Sequence, residues 1–378
     1  MIRTCSVPNE PTAAEGRWWL AAPVLLESIE RRALESRTTV SYQFGDAVLR
    51  IDTNEPLLVE ALRQRYGDCA VSNAVPSHGP TVRCTIWRSF EPQLIVLTFV
   101  EGAPPDPAAA APHLLRPTRA VAPFRVWDSP IPGWRLVGGV TGPVLATRGA
   151  QVLLQPKLIP TDFLVEYLVG ITLGGQPGLL PIHGAALQIG QAGAVLVGPS
   201  HAGKTTTALH LAARGYGLLG DEIALLRVAT REVVPFRRTA QLRPGPRGQE
   251  LAALLGPSDN GDGPCADDEW TVPYRIAELF PNAAVHPVRV RAVYFLSGFA
   301  DGPSLTPFNF TFGDPDILRW IMIPEISHYS WGVAPARRTF RLMILREVLS
   351  RIPCWRLTVG PPSDTAALIE ANMEELSC

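Results

Sequence analysis

Gly198-Pro199-Ser200-His201-Ala202-Gly203-Lys204-Thr205 matches the pattern Gly-x4-Gly-Lys-Ser/Thr, whose residue types suit a grip on the phosphates of a nucleotide. Glycines let the backbone bend around a β-phosphate so that several N–H groups point inward. Lys204 carries a point charge toward the β- and γ-phosphates, and the Thr205 hydroxyl suits Mg²⁺. Thr206 then either touches a phosphate or packs. Gly198 through Thr206 are therefore the candidate nucleotide contacts. Two further groups flank them. Asp221 and Glu222 form an acidic pair past the loop, and His183 precedes it. One acid could hold a metal, directly or through water, while the other accepts a proton from an attacking hydroxyl. His183 could hold the acidic base or bind the γ-phosphate.

These residues need a strand before the loop and a helix after it. "GAVLVG" reads as a buried strand, and "KTTTALHLAARG" as a helix closed by Gly215. An anion is favoured at that helix start by its free amides and dipole. "YGLLGDEIALLRV" reads as two strand-like runs around the acids. The run "GLL" is expected to return beside the phosphate-loop strand, leaving the acids at the sheet edge where ligands of open α/β sheets sit. Adjacent acids on a regular strand point to opposite faces. Both reach one site only if the backbone turns, which Gly220 would permit.

The rest of the chain sets the frame. Its 378 residues are 46% hydrophobic, enough for a sizeable core in one large or two ordinary domains. Residues 1–120 read as a smaller N-terminal α/β domain closed by the Pro/Ala-rich "EGAPPDPAAAAPHLLRPTR" at 101–119, a linker or surface loop. Within it, "TTVSYQFGDAVLRID" alternates around a turn at Gly45-Asp46, and "NEPLLVEALRQRYG" has helical spacing. Residues 121–378 carry strands and helices in alternation and read as the α/β catalytic domain.

The formal net charge of −1 argues against a broad footprint for nucleic acid or an anionic membrane. No run of apolar residues is long enough for a membrane span. The six cysteines fit no zinc spacing. The N-terminus lacks a basic start followed by an apolar run, so free thiols and a cytoplasmic location are expected. "SDNGDGPCADDEW", 258–270, misses the calcium-loop register and reads as a solvated acidic loop.

Taken together, "HGAAL", "GPSHAGKT", "ALHLAARGYGLL" and "DE" across residues 181–226 resemble the catalytic domain of the HPr kinase/phosphorylase family. Weaker similarity reaches "VVPFRRTAQLR" and the terminal "WRLTVGPPSDTAALIEAN". The resemblance implies a P-loop kinase core related to phosphoenolpyruvate carboxykinase. It also implies ATP, Mg²⁺ and phosphoryl transfer to a serine hydroxyl, and it suggests homo-oligomers. By position it implies Asp221 as catalytic base, Glu222 with Thr205 on the metal side, and His183 as the site histidine. It further implies that Arg237 or Arg238, with Arg238 the preferred candidate, would lie near the transferred phosphate.

Three departures bear on this. His201 replaces the second loop glycine, tolerable if its φ is negative. Glu222 stands where the family has Asp. The Pro-Gly-Arg-Asn segment of the reverse reaction is missing, so reversal is not expected. The N-terminal part is more similar to divergent members of peptide-modification pathways, including kinases of lasso-peptide precursors. The acceptor is thus expected to be a peptide or small protein. A nucleotide-switched binding module with slow hydrolysis, and a small-molecule kinase, are the competing readings.

Overall fold

The computed structural model describes residues 17–19, 38–72, 81–88, 96–99, 114–115, 119–121, 124–128, 135–139, 142–148, 151–154, 161–174, 176, 178–237, 239–242, 246–255, 272–280, 286–309 and 343–376. The protein is mixed α/β and divides into two compact units: 1–40, 50–59 and 82–164 form the first, and 41–49, 60–81 and 165–378 the second. The two units interleave along the chain, so no single sequence position separates them. The physical reason is pairing between strands distant in sequence. Gln151–Leu154 runs parallel to Thr81–Arg88 and leads into an antiparallel meander through Gly142–Arg148, Arg135–Gly139, Phe124–Asp128 and Arg119–Val121. The acidic stretch 258–270 lies outside the described residues.

Among the described residues the main sheet of the second unit has eight strands: β1 (Leu179–Ile189), β2 (Ala192–Val197), β3 (Gly217–Gly220), β4 (Ile223–Arg227), β5 (Glu232–Val234), β6 (Val288–Phe299), β7 (Ser304–Pro307) and β8 (Cys354–Val359). The unit's described helices include α1 (Thr161–Gly174), α2 (Lys204–Ala213), α3 (Pro246–Leu255) and α4 (Pro362–Glu375). β2, β6 and β8 are parallel neighbours, with β1 antiparallel to β2 and β7 antiparallel to β8. β1 and β6 are long enough to pair twice. Their other ends join β4 and β5 in an antiparallel sheet. The short run β3 pairs with β1, not with β2 beside which it was expected. β2 has no free edge to offer it, because β1 and β6 already occupy both sides.

Strands covered on both faces read as unbroken apolar runs, and β2 is buried along its whole length. Ala194 and Leu196 face a core that includes Leu209 and Leu211 of α2, Tyr294, and Ile369 and Met373 of α4. Val195 and Val197 face the other core, with Val293, Phe295, Leu345 and Leu349. β2 is thus clamped between two cores, which fixes the point where the following loop starts. Among the described residues no helix is long and apolar enough to cross a membrane, and Cys69, Cys84 and Cys354 are buried free thiols.

Gln176, just past α1, ties the turn at Gly45-Asp46 to this unit. Its buried Nε2 donates to the Phe44 carbonyl at 2.9 Å and the Thr172 carbonyl at 3.0 Å, while Oε1 accepts from the Asp46 N–H at 2.8 Å. The Gln176→Leu protein should therefore lose about 2–4 kcal/mol in urea unfolding, since buried backbone groups are left without partners. An unchanged midpoint would show that the turn is held by other contacts.

Candidate functional site

Strand register alone gathers the site. β1 pairs Gly184 with Val197, the last residue before the loop, and His183 with Ile223, the first residue after the acids. The Gly184 N–H donates to the Glu222 carbonyl at 3.1 Å. His183, the loop and the acidic turn therefore share one end of the sheet. Gly184 was part of the motif but had no role in the sequence reading. Its signal is steric: a Cβ there would lie 2.4 Å from the Leu196 carbonyl oxygen, so only glycine lets β1 approach β2 this closely.

The loop leaves β2 at Gly198, where a Cβ would crowd Ala202 and Leu296 at 3.1 Å. It turns through an Ala202 N–H to Pro199 carbonyl bond of 3.2 Å and enters α2 from Gly203 at φ 95°. No side chain caps α2, so its first amides stay open to an anion. Lys204 is buried and folds back over the loop, Nζ donating to the carbonyls of Gly198 and Pro199, both at 2.9 Å. Thr207, with no forced role in sequence, is buried inside the helix, while Thr205 and Thr206 are half-buried.

His201 has φ 67°, so the negative φ under which the histidine would be readily tolerated is not what the loop adopts. The loop needs a left-handed residue at the position where a glycine was expected, and histidine occupies that region more readily than most residues. His201→Gly should then shift stability by less than about 1 kcal/mol, whereas the β-branched His201→Val should lose about 2 kcal/mol. Thermal unfolding of the two variants checks this, and equal melting points would refute it.

Asp221 and Glu222 separate. Asp221 is 5% exposed, and the Thr205 hydroxyl donates within 3.0 Å of both its carboxylate oxygens. Burial first, then the neighbouring Glu222 charge, pushes Asp221 up to about 6, against the opposing pull of Thr205 and Lys204. Glu222 is exposed and takes φ 62°. The turn that splits the pair is therefore made by Glu222 itself rather than by Gly220. Gly220 stays in β3, where a Cβ would meet the Ile223 carbonyl oxygen at 2.5 Å and that of Phe236 at 3.1 Å.

His183 is buried and its Nε2 has no hydrogen-bond partner. Desolvation first, then the Lys204 charge, lowers it to about 4, against the pull of Glu222. The imidazole is thus neutral at physiological pH, with one nitrogen open.

Arg238 lies outside the described residues. Arg237 is half-buried, its Nε donating to the Leu218 carbonyl at 3.3 Å. Phe236, beside it, packs with Phe44 and Tyr66 at ring distances of 5.8 Å. Phe299 is a residue that sequence reasoning missed. It is 52% exposed, and its ring would stand 3.6 Å from a Cβ on Gly203, so a large apolar face borders the loop.

Among the described residues no three His, Cys, Asp or Glu side chains gather as a metal cluster. The available donors are a hydroxyl and carboxylate oxygens. That set suits Mg²⁺, which prefers oxygen and is usually held by one or two carboxylates together with substrate phosphates and water.

No protein-family model matches the chain, and no curated protein matches it in sequence. Among solved structures, the Hpr(Ser) kinase/phosphatase from Coxiella burnetii is similar over 52% of this chain and 89% of its own, at 15% identity and a TM-score of 0.27. A likeness that loose carries no argument about the site, which stands on its own geometry.

Proposed function

We propose that the second unit is an HPr kinase-like phosphotransferase that binds ATP with Mg²⁺ at the 198–206 loop and transfers the γ-phosphate to a hydroxyl, that of a serine in a peptide or small protein. The observation that carries this reading is the Thr205 hydroxyl 3.0 Å from both oxygens of a buried carboxylate, Asp221, at the end of a lysine-bearing loop. A threonine and an acid paired in this way hold Mg²⁺ in phosphate-loop enzymes. Bound Mg²⁺ would neutralise the phosphate oxygens.

The chain supplies the rest. Lys204 swings its Nζ from the Gly198 and Pro199 carbonyls to the β- and γ-phosphates, and the open amides of α2 take the β-phosphate. His183 Nε2, the lone-pair nitrogen of the neutral ring, takes up a proton as the charged γ-phosphate arrives and then donates to it. The Thr205 contact favours Asp221 for the metal side. Glu222, exposed at the mouth, is then the carboxylate that accepts the proton from the incoming hydroxyl. This exchanges the two roles that the family resemblance implied, and Arg238 keeps its assignment near the transferred phosphate.

The test is acceptor-dependent turnover. A panel of serine-containing peptides and small proteins incubated with ATP and Mg²⁺ should gain 80 Da by mass spectrometry, about the mass of one phosphoryl group. ADP appearing equally fast without an acceptor would replace this reading with a nucleotide-hydrolysing binding module. Glu222→Gln should lower kcat while leaving nucleotide affinity within about twofold. Unchanged transfer would return the base to Asp221.

A further inference from the structure

A second cluster of charge lies at the opposite end of the same sheet and takes no part in the site above. Arg231, Arg289, Arg291 and Arg351 line a cavity of about 90 Å³ together with Val290, Pro353 and Leu376. β2 and β6 run parallel, with Gly193 beside Val290 and Val197 beside Phe295. The cavity thus sits at the start of β6, and the loop follows the far end of β2. Five residues of strand separate the two levels, on the order of 17 Å.

The arginines converge from three distant parts of the chain. Arg289 and Arg291 are exposed residues at the start of β6. Arg231 sits in the turn between β4 and β5 at φ 56°, a backbone that costs a non-glycine residue about 1 kcal/mol. The Val290 N–H pins it there, donating to the Arg231 carbonyl at 2.8 Å. Arg351 arrives from the segment ahead of β8 and carries its own partner, Glu347.

The other three have no acidic partner among the described residues. Glu232 stands opposite Arg289 in the β5–β6 ladder, but its Oε2 already accepts from Arg227 Nη1 at 2.6 Å and Thr230 Oγ1 at 2.7 Å. Like charges held around one small cavity repel one another unless an anion joins them. In a protein of formal net charge −1, this concentration is local.

We infer that this cavity is an oxyanion site that takes a phosphate group, free or carried as a monoester on a small molecule. Guanidinium forks match phosphate oxygens in pairs, and three unpaired forks suit a multiply charged tetrahedral group better than a carboxylate. The volume admits one such group and no polymer. The site does not depend on the kinase reading.

The experiment is calorimetric titration at constant ionic strength, with chloride as the balancing anion. Inorganic phosphate and glycerol phosphate are titrated separately into the parent protein, the Lys204→Met protein and the Arg289→Gln/Arg291→Gln protein. Lys204→Met disables the phosphate loop, so binding that survives it belongs elsewhere. Binding of either ligand should persist in Lys204→Met and weaken at least tenfold in the double variant. The tighter of the two ligands tells free phosphate from a phosphate monoester. Arg351→Gln, at a residue more than half exposed, provides a second variant with little bearing on folding and should weaken binding by a smaller factor. Binding that vanishes in Lys204→Met, or persists unchanged in both arginine variants, overturns the inference.

Discussion

The Asp221→Asn protein is expected to be more stable than its parent and inactive in transfer. Burial holds the carboxyl at about 6, well above its ordinary 3.8. A folded pKa above the unfolded one means that the group's contribution to stability is full below about pH 4 and is lost as pH rises through 6. In the presence of chelator at pH 8, the neutral amide should therefore gain about 2–3 kcal/mol over the carboxylate, and the gain should vanish near pH 4. The amide oxygen still accepts from Thr205, so the turn persists. Transfer should fall roughly 10³-fold, because the carboxylate assigned to Mg²⁺ is gone. A site destabilised for function shows this opposition between stability and activity. Thermal unfolding across pH 4–8 (about four units) checks the first half and a transfer assay the second. A variant less stable at pH 8, or as active as the parent, contradicts the assignment.

Gly220→Ala should be strongly damaging for a single added methyl, because two backbone carbonyls stand in its way. The new Cβ would stand 2.5 Å from the Ile223 carbonyl oxygen and 3.1 Å from that of Phe236. Both obstacles are backbone, so neither can rotate away. Either β3 or β4 must move, and with them the bond of 2.7 Å from the Phe236 N–H to the Leu219 carbonyl and the turn that carries Asp221. Overpacking of this kind costs about 3 kcal/mol or more. Gly178→Ala is the matched control, since nothing lies within 4 Å of the Cβ it would add, and it should stay within about 0.5 kcal/mol of the parent. Urea midpoints compare the two. Equal losses would mean that helix and strand ends near the site yield more freely than the geometry implies.

The strand, loop and helix of the candidate site were legible because each has a local signature. Buried "GAVLVG" has no polar interruption, Gly203 and Gly215 sit at left-handed positions bounding α2, and Lys204 is specified by its motif. The hairpin turn at Gly45-Asp46 and the helix Pro56–Tyr66 were legible for the same reason.

What escaped was long-range. Nothing in "GLLG" says that β3 pairs with β1, because pairing depends on which edges other strands leave open. No composition shift marks the parallel pairing of Gln151–Leu154 with Thr81–Arg88, which joins strands more than sixty residues apart in sequence. The left-handed backbones of His201 and Glu222 are imposed by their surroundings on residues that do not advertise it. The four arginines around the second cavity are spread from 231 to 351 and meet only in the fold.

Binding of a fluorescent ATP analogue, titrated into the parent and the Lys204→Met protein with Mg²⁺ and then with chelator, addresses the convergence of Lys204, Thr205, Asp221 and His183 most directly. The account predicts binding by the parent that Mg²⁺ strengthens, and a loss of at least tenfold in Lys204→Met. Equal affinity in the two proteins, indifferent to Mg²⁺, would contradict it.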